Sequence, residues 1–144
     1  MILQDEEETA RLGAALAALA SPGDVITLSG PLGVGKTALA RGFLAALGQE
    51  GEVPSPSFAI VQPYEDVDPP VWHVDLYRIE DPSELEELGL DSAAAAVMLV
   101  EWPERAGEAA WAGALRLSLE FGRNGERILT AEVPPSWEGR WPPR

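Results

Sequence analysis

Cysteine is absent from this 144-residue chain, and lysine and histidine occur once each, as Lys36 and His73. Without thiols there is neither a disulfide framework nor a thiolate metal site, and one imidazole cannot build a histidine cluster. Long hydrophobic runs are also missing. The longest, such as Ala93 to Val100, reach about half a membrane span, and Met1 to Glu6 lacks the basic start of a signal peptide, so a cytosolic protein with no membrane contact is expected. Positive charge is scarce as well: the net charge is −14, and the arginines scattered from Arg11 to Arg144 form no basic run. Such a surface repels phosphate backbones, so the chain alone is not expected to bind nucleic acid tightly, and a protein partner is the route to any nucleic acid. What remains, 46% hydrophobic and 24% charged residues, is the composition of a soluble globular protein. Its length suits one domain, expected over residues 1–133, and is too short for two nucleotide-binding domains.

Glycine is placed where it carries information. Gly30-Pro31-Leu32-Gly33-Val34-Gly35-Lys36-Thr37 fits the phosphate-binding pattern G-x-x-x-x-G-K-[ST] at every fixed position. Gly30, Gly33 and Gly35 let the backbone adopt φ > 0 and turn its N–H groups, including those between Pro31 and Ala38, towards phosphate oxygens. Lys36 is positioned for the β and γ phosphates, and Thr37 opens a helix where its hydroxyl can ligate Mg²⁺ beside the positive helix end. Val25 to Leu28 before the loop reads as a strand, and Ala38 to Leu47 as a helix with Gly48 as its C′ residue. Strand, loop and helix therefore come in the required order.

Ahead of the loop, Asp5 reads as an N-cap with Glu8 reaching back, and Leu12, Leu16 and Leu19 form an apolar stripe. Beyond the loop, Pro54 to Phe58 holds two hydroxyls, Ser55 and Ser57, either as a γ-phosphate sensor or as a plain turn. Phe58 to Val61 and Val71 to Tyr77 read as a β-hairpin across an acidic loop, with His73, Asp75 and Tyr77 on one strand face as a candidate site wall. Asp81 and Pro82 read as the start of a helix closed by Gly89. Val97 to Glu101 is an apolar strand ending in a carboxylate, the pattern of a metal-holding strand beside a phosphate loop, so Glu101 competes with Asp75 for Mg²⁺. Leu115 to Phe121 alternates strictly and pairs through Asn124-Gly125 with Ile128 to Val133 in a second hairpin. The Pro- and Trp-rich tail, residues 134–144, either docks a partner through Trp137 and Trp141 or folds back over the domain.

In this order and spacing GPLGVGKT, ARGFLAALG, SPSF, HVDLYR, DPSELEELG and LVEW resemble the bacterial TsaE (YjeE) ATPases of tRNA threonylcarbamoyladenosine synthesis, from about Asp5 to Arg127. The resemblance implies a three-layer α/β P-loop NTPase fold, a mixed sheet with a parallel core and antiparallel hairpins. It also implies slow, Mg²⁺-dependent hydrolysis of ATP in partnership with a TsaB–TsaD complex. Lys36 would hold phosphates, Thr37 and Glu101 would serve Mg²⁺, and Asp75 would orient the attacking water or the metal shell. Ser55 and Ser57 would sense the γ-phosphate, with serine where the family more often has threonine. Glu6, Thr9, Trp102 and one of Arg123 and Arg127 would surround base and ribose.

Three other readings compete. A regulatory GTPase is opposed by the lack of [NT]-K-x-D and D-x-x-G, while a small-molecule kinase needs an acceptor pocket and usually an arginine-bearing lid. A non-catalytic adaptor that binds ATP as a clip is the third.

Overall fold

The computed structural model describes residues 1–49, 61–90 and 95–143. Its elements in chain order are β1 (Ile2–Leu3), α1 (Glu6–Ala17), β2 (Val25–Ser29), α2 (Lys36–Ala46), β3 (Val61–Tyr64), β4 (Val71–Asp75), β5 (Val97–Glu101), β6 (Leu115–Phe121) and β7 (Arg127–Glu132). Short 3₁₀ turns cover Pro82–Leu88, Pro103–Ala106, Glu108–Trp111 and Pro135–Trp137.

Among the described residues the strands form one sheet in the order β1-β7-β6-β2-β5-β4-β3. Parallel pairing runs through β4, β5, β2 and β6, and antiparallel pairs close both sides, β3 on β4, and β7 on β6 with β1 beyond it. The strand that feeds the phosphate loop thus lies at the centre, with the acid-ended β5 beside it. Burial explains the placement: Ile26, Leu28, Val97, Leu99 and Val100 are fully buried, as a parallel strand covered on both faces requires.

The sheet separates two apolar layers. On one side Leu12, Leu16, Leu39, Phe43 and Leu44 of α1 and α2 pack on Ile26, Leu28, Leu99 and Leu117. On the other, Val74, Leu76 and Val100 meet Ile79, Trp111 and Ala114, with Trp72 and Leu85 packed against them. This is the three-layer P-loop arrangement.

The N-cap of α1 is as the sequence indicates. Asp5 accepts the Glu8 amide at 2.9 Å, and the Glu8 carboxylate turns back onto the Gln4 amide. The start of α1 is therefore capped by side chains. Where α1 crosses α2 there is no side chain in the gap: a Cβ on Gly13 would stand 2.0 Å from the Leu39 carbonyl oxygen, and one on Gly42 2.0 Å from that of Ala10. Gly42→Ala should consequently destabilise the fold by ~2–3 kcal/mol through overpacking, although alanine is the better helix former by about 1 kcal/mol. Urea unfolding of the two chains checks this; a more stable alanine variant would mean that the helices separate at no cost.

Several boundaries differ from the sequence reading. The first hairpin strand is described from Val61 to Tyr64 rather than from Phe58 to Val61, residues 58–60 lying outside the described ones; Pro63 is tolerated because β3 is an edge strand. β4 stops at Asp75 instead of Tyr77, because the Asp75 carboxylate accepts the Tyr77 amide at 2.8 Å and turns the chain. The segment after Asp81 is a 3₁₀ turn, Pro82–Leu88, and not an α-helix. Seven residues are too few to recover the cost of α-helix nucleation, and the tighter turn suits a short connector. β7 begins one residue earlier than expected, at Arg127.

The tail lies against the domain. Trp137 is 1% exposed and belongs to the main core, and Trp141 packs partly buried beside it. Arg140 makes a two-pronged pair with Asp24, Nη1 to Oδ2 at 2.7 Å and Nη2 to Oδ1 at 3.2 Å. It also donates to the Leu19 carbonyl at 2.9 Å, and its guanidinium stands 3.9 Å over the Trp137 ring.

Candidate nucleotide site

The loop between β2 and α2 owes its shape to glycine. Gly30, Gly33 and Gly35 have φ of +145°, +78° and +116°, conformations costly for other residues. At Gly30 a side chain is also sterically barred, since its Cβ would lie 2.4 Å from the Leu119 carbonyl oxygen. Gly35 serves as N-cap of α2 with no side chain capping it, which leaves the amides of the first turn for a ligand.

Beside this loop is a cavity of about 390 Å³. Leu32 to Ala38 form one wall, Glu6 and Thr9 of α1 another, and Asp75, Glu101, Trp102 and Arg127 much of the remainder. These are residues the sequence singled out, brought together from five elements or their ends. Pro31 belongs to the loop without lining the cavity, and Ser55 and Ser57 lie outside the described residues. Between the two candidate arginines, the cavity is lined by Arg127 and not by Arg123. Arg127 starts β7, and its Nε donates 2.8 Å to the Val34 carbonyl, tying the far hairpin to the phosphate loop.

Lys36 is only 4% exposed. Its ammonium donates 2.5 Å to the Gly30 carbonyl and lies 3.6 Å from the centre of the Trp102 ring. Burial lowers its pKa, partly countered by the negative charges of Glu101, Glu104 and Asp75. Trp102 itself has left-handed backbone geometry, φ 58° and ψ 48°, at the turn that follows Glu101. Its ring also meets Tyr77, centroids 4.9 Å apart.

Adjacent parallel strands set the two acids opposite each other, Asp75 pairing in register with Glu101. Both are nearly buried, at 5% and 3% exposure. The pKa of Asp75 is raised, first by burial and further by the Glu101 charge, against the Tyr77 amide that lowers it. Thr37 Oγ1 lies 3.4 Å from Glu101 Oε2. Two carboxylates and a hydroxyl around one cavity are hard oxygen donors suited to Mg²⁺, and a neighbouring cation would relieve the burden that raises Asp75. Among the described residues no group of three or more His, Cys, Asp or Glu side chains could hold a metal unaided.

The raised pKa has a consequence for stability. The folded protein holds the Asp75 proton more tightly than the unfolded chain does, so ionised Asp75 costs stability at pH values above its folded pKa. The cost fades as the pH falls through that pKa towards the ordinary value of 3.8. Asp75→Asn, which keeps an oxygen for the Tyr77 amide, should melt a few degrees higher than wild type at neutral pH, with the gain shrinking in acid. Differential scanning calorimetry across pH tests it, and a lower melting temperature at neutral pH would contradict the assignment.

Arg41, Tyr77 and Arg78 also line the cavity. Tyr77 belongs to the trio expected to form a site wall, although it lies beyond the end of β4, whereas nothing in the sequence reading pointed to the arginines. The signal for Arg41 was its position one helical turn beyond Thr37, on the same face of α2. For Arg78 it was the step after Tyr77, where the chain leaves the sheet.

Comparison with known proteins agrees with this geometry. The family model described as threonylcarbamoyl adenosine biosynthesis protein TsaE matches residues 3–129. A tRNA threonylcarbamoyladenosine biosynthesis protein TsaE from Bacillus subtilis is 41% identical over 126 residues, 86% of this chain and 78% of that protein. Its counterpart in Rickettsia bellii is 39% identical over 105 residues, 72% of this chain and 73% of that protein. The crystal structure of Bacillus subtilis YdiB superposes with a TM-score of 0.81 at 34% identity, covering 96% of this chain and 88% of the other. A match from β1 into β7 takes in the loop, both acidic strands and the arginine that returns to the loop, and on that extent the chain belongs to the TsaE family of threonylcarbamoyladenosine biosynthesis proteins.

Proposed function

We propose that the chain binds ATP with Mg²⁺ in the cavity beside Lys36, hydrolyses it slowly, and does so in the service of a TsaB–TsaD complex that modifies tRNA in the cytosol. The observation that carries this reading is the convergence of Lys36, Thr37, Asp75 and Glu101 on one cavity of about 390 Å³, the size of a single small-ligand site. Amides from Gly33 to Ala38 would receive the phosphates, and Lys36 would exchange the Gly30 carbonyl for phosphate oxygens. Thr37 and Glu101 would hold Mg²⁺, which supplies charge neutralisation to the phosphate groups. Asp75 would accept a hydrogen bond from the attacking water and orient it; Glu6, Thr9, Trp102 and Arg127 would hold the nucleoside end. Phosphoryl transfer needs mainly positioning and charge stabilisation, and residues supplied by a partner can raise the rate of such a site.

Phosphate release from ATP, measured with and without a purified TsaB–TsaD pair, tests the reading. ADP and phosphate in a one-to-one ratio, faster with the pair, is the expected result. A phosphorylated small acceptor would identify a kinase instead, and tight binding without any product would identify an adaptor.

A further inference from the structure

His73 is fully buried and has no part in the scheme above. It sits two residues before Asp75 on the same face of β4, diagonal to Glu101 across the β4–β5 pair. Its Nε2 lies 2.6 Å from Glu101 Oε2, while its Nδ1 has no hydrogen-bond partner among the described residues. An ionised carboxylate only accepts, so opposite one Nε2 is the donor. A position that needed only volume would be served by leucine at less cost than a ring with one bare nitrogen. The polarity is therefore directed at Glu101.

We propose that His73 is a positioning residue that holds the Glu101 carboxylate in one orientation towards the metal or its water, an inference that rests on the nucleotide reading above. The same Oε2 that takes the His73 hydrogen bond is the oxygen nearest the Thr37 hydroxyl, at 3.4 Å. Anchoring Oε2 on the ring at 2.6 Å restrains the carboxylate beside Thr37. Groups behind a metal-holding side chain commonly govern metal affinity by about 10- to 100-fold.

His73 is the sole histidine, so protein labelled with ¹⁵N-histidine gives the signals of one ring. The expected spectrum shows a protonated Nε2 and an unprotonated Nδ1, and the Nε2 resonance moves when Mg²⁺ joins the ATP-bound protein but not when ATP is added with EDTA. A proton on Nδ1 with a bare Nε2 overturns the proposal without any substitution. Two variants probe the function. His73→Gln keeps an N–H donor near the Nε2 position, and His73→Asn withdraws it by one methylene. The glutamine variant should keep the Mg²⁺ midpoint of fluorescent-ATP binding within about twofold, while asparagine raises it about tenfold and leaves binding in EDTA unchanged. Equal midpoints for the two variants, or a loss for asparagine that is the same with and without Mg²⁺, would refute positioning. Wild-type protein that binds no ATP under either condition would instead bring down the nucleotide reading itself.

Discussion

Lys36→Ala is expected to weaken ATP binding at least ~100-fold while leaving the fold in place. Charge-assisted hydrogen bonds are worth about 1.5–3 kcal/mol each, and a lysine at this position would make them to two phosphates. No other lysine can substitute, since Lys36 is the only one in the chain. The effect on the ligand-free protein is predicted to be small because opposing contributions offset each other. Burial disfavours the ammonium more than the surrounding carboxylates favour it, which is why its pKa is lowered. Removing the side chain relieves that desolvation and forfeits the contact with Trp102 and the attraction of Glu101 and Asp75. Titration of both proteins with fluorescent ATP, paired with thermal melts, decides the matter. Undiminished affinity in the variant would remove the phosphate assignment from this loop.

Truncation after Val133 should be the most destabilising single change in the molecule. Trp137 is among the largest fully buried side chains, and deleting a buried tryptophan side chain costs about 3–5 kcal/mol. The Arg140 pair with Asp24 and the packing of Trp141 are lost with it. Against a total stability of roughly 5–15 kcal/mol, these losses lower the melting temperature by well over ~10 °C or leave the chain unfolded. Circular dichroism melts of the shortened and full-length chains measure this. A shortened chain that melts like the full one would show that the indoles add nothing to the core, and would return the tail to a docking role.

Much of the site could be read from the chain because its parts are local. The phosphate loop is one contiguous octapeptide, and the strand before it and the helix after it declare themselves by period and by Gly48. Glu101 was legible because it ends an apolar strand, and Asp75 because it shares a polar strand face with His73 and Tyr77. Contacts made across the sheet were not. Nothing near Arg127 signals that its guanidinium reaches Val34, because that meeting depends on β6 pairing in parallel with β2 and on β7 returning beside it. The Arg123 or Arg127 choice stayed open for that reason. The two-residue β1 is too short to carry an alternation, and His73 could be assigned to a face but not to a partner. Trp137 posed a related problem: an indole among prolines reads the same whether it covers its own core or another protein's.

The bare crossing of α1 and α2 bears on motion. With backbone against backbone at Gly13 and Gly42, no side chain at those two points can change rotamer and absorb a displacement. Any shift of α2 when a ligand occupies its N-terminus must therefore carry α1 along, so Glu6 and Thr9 travel with the phosphate loop instead of closing over it. The opposite rim differs: there Trp102 and Tyr77 follow the ends of β5 and β4 rather than standing on a helix.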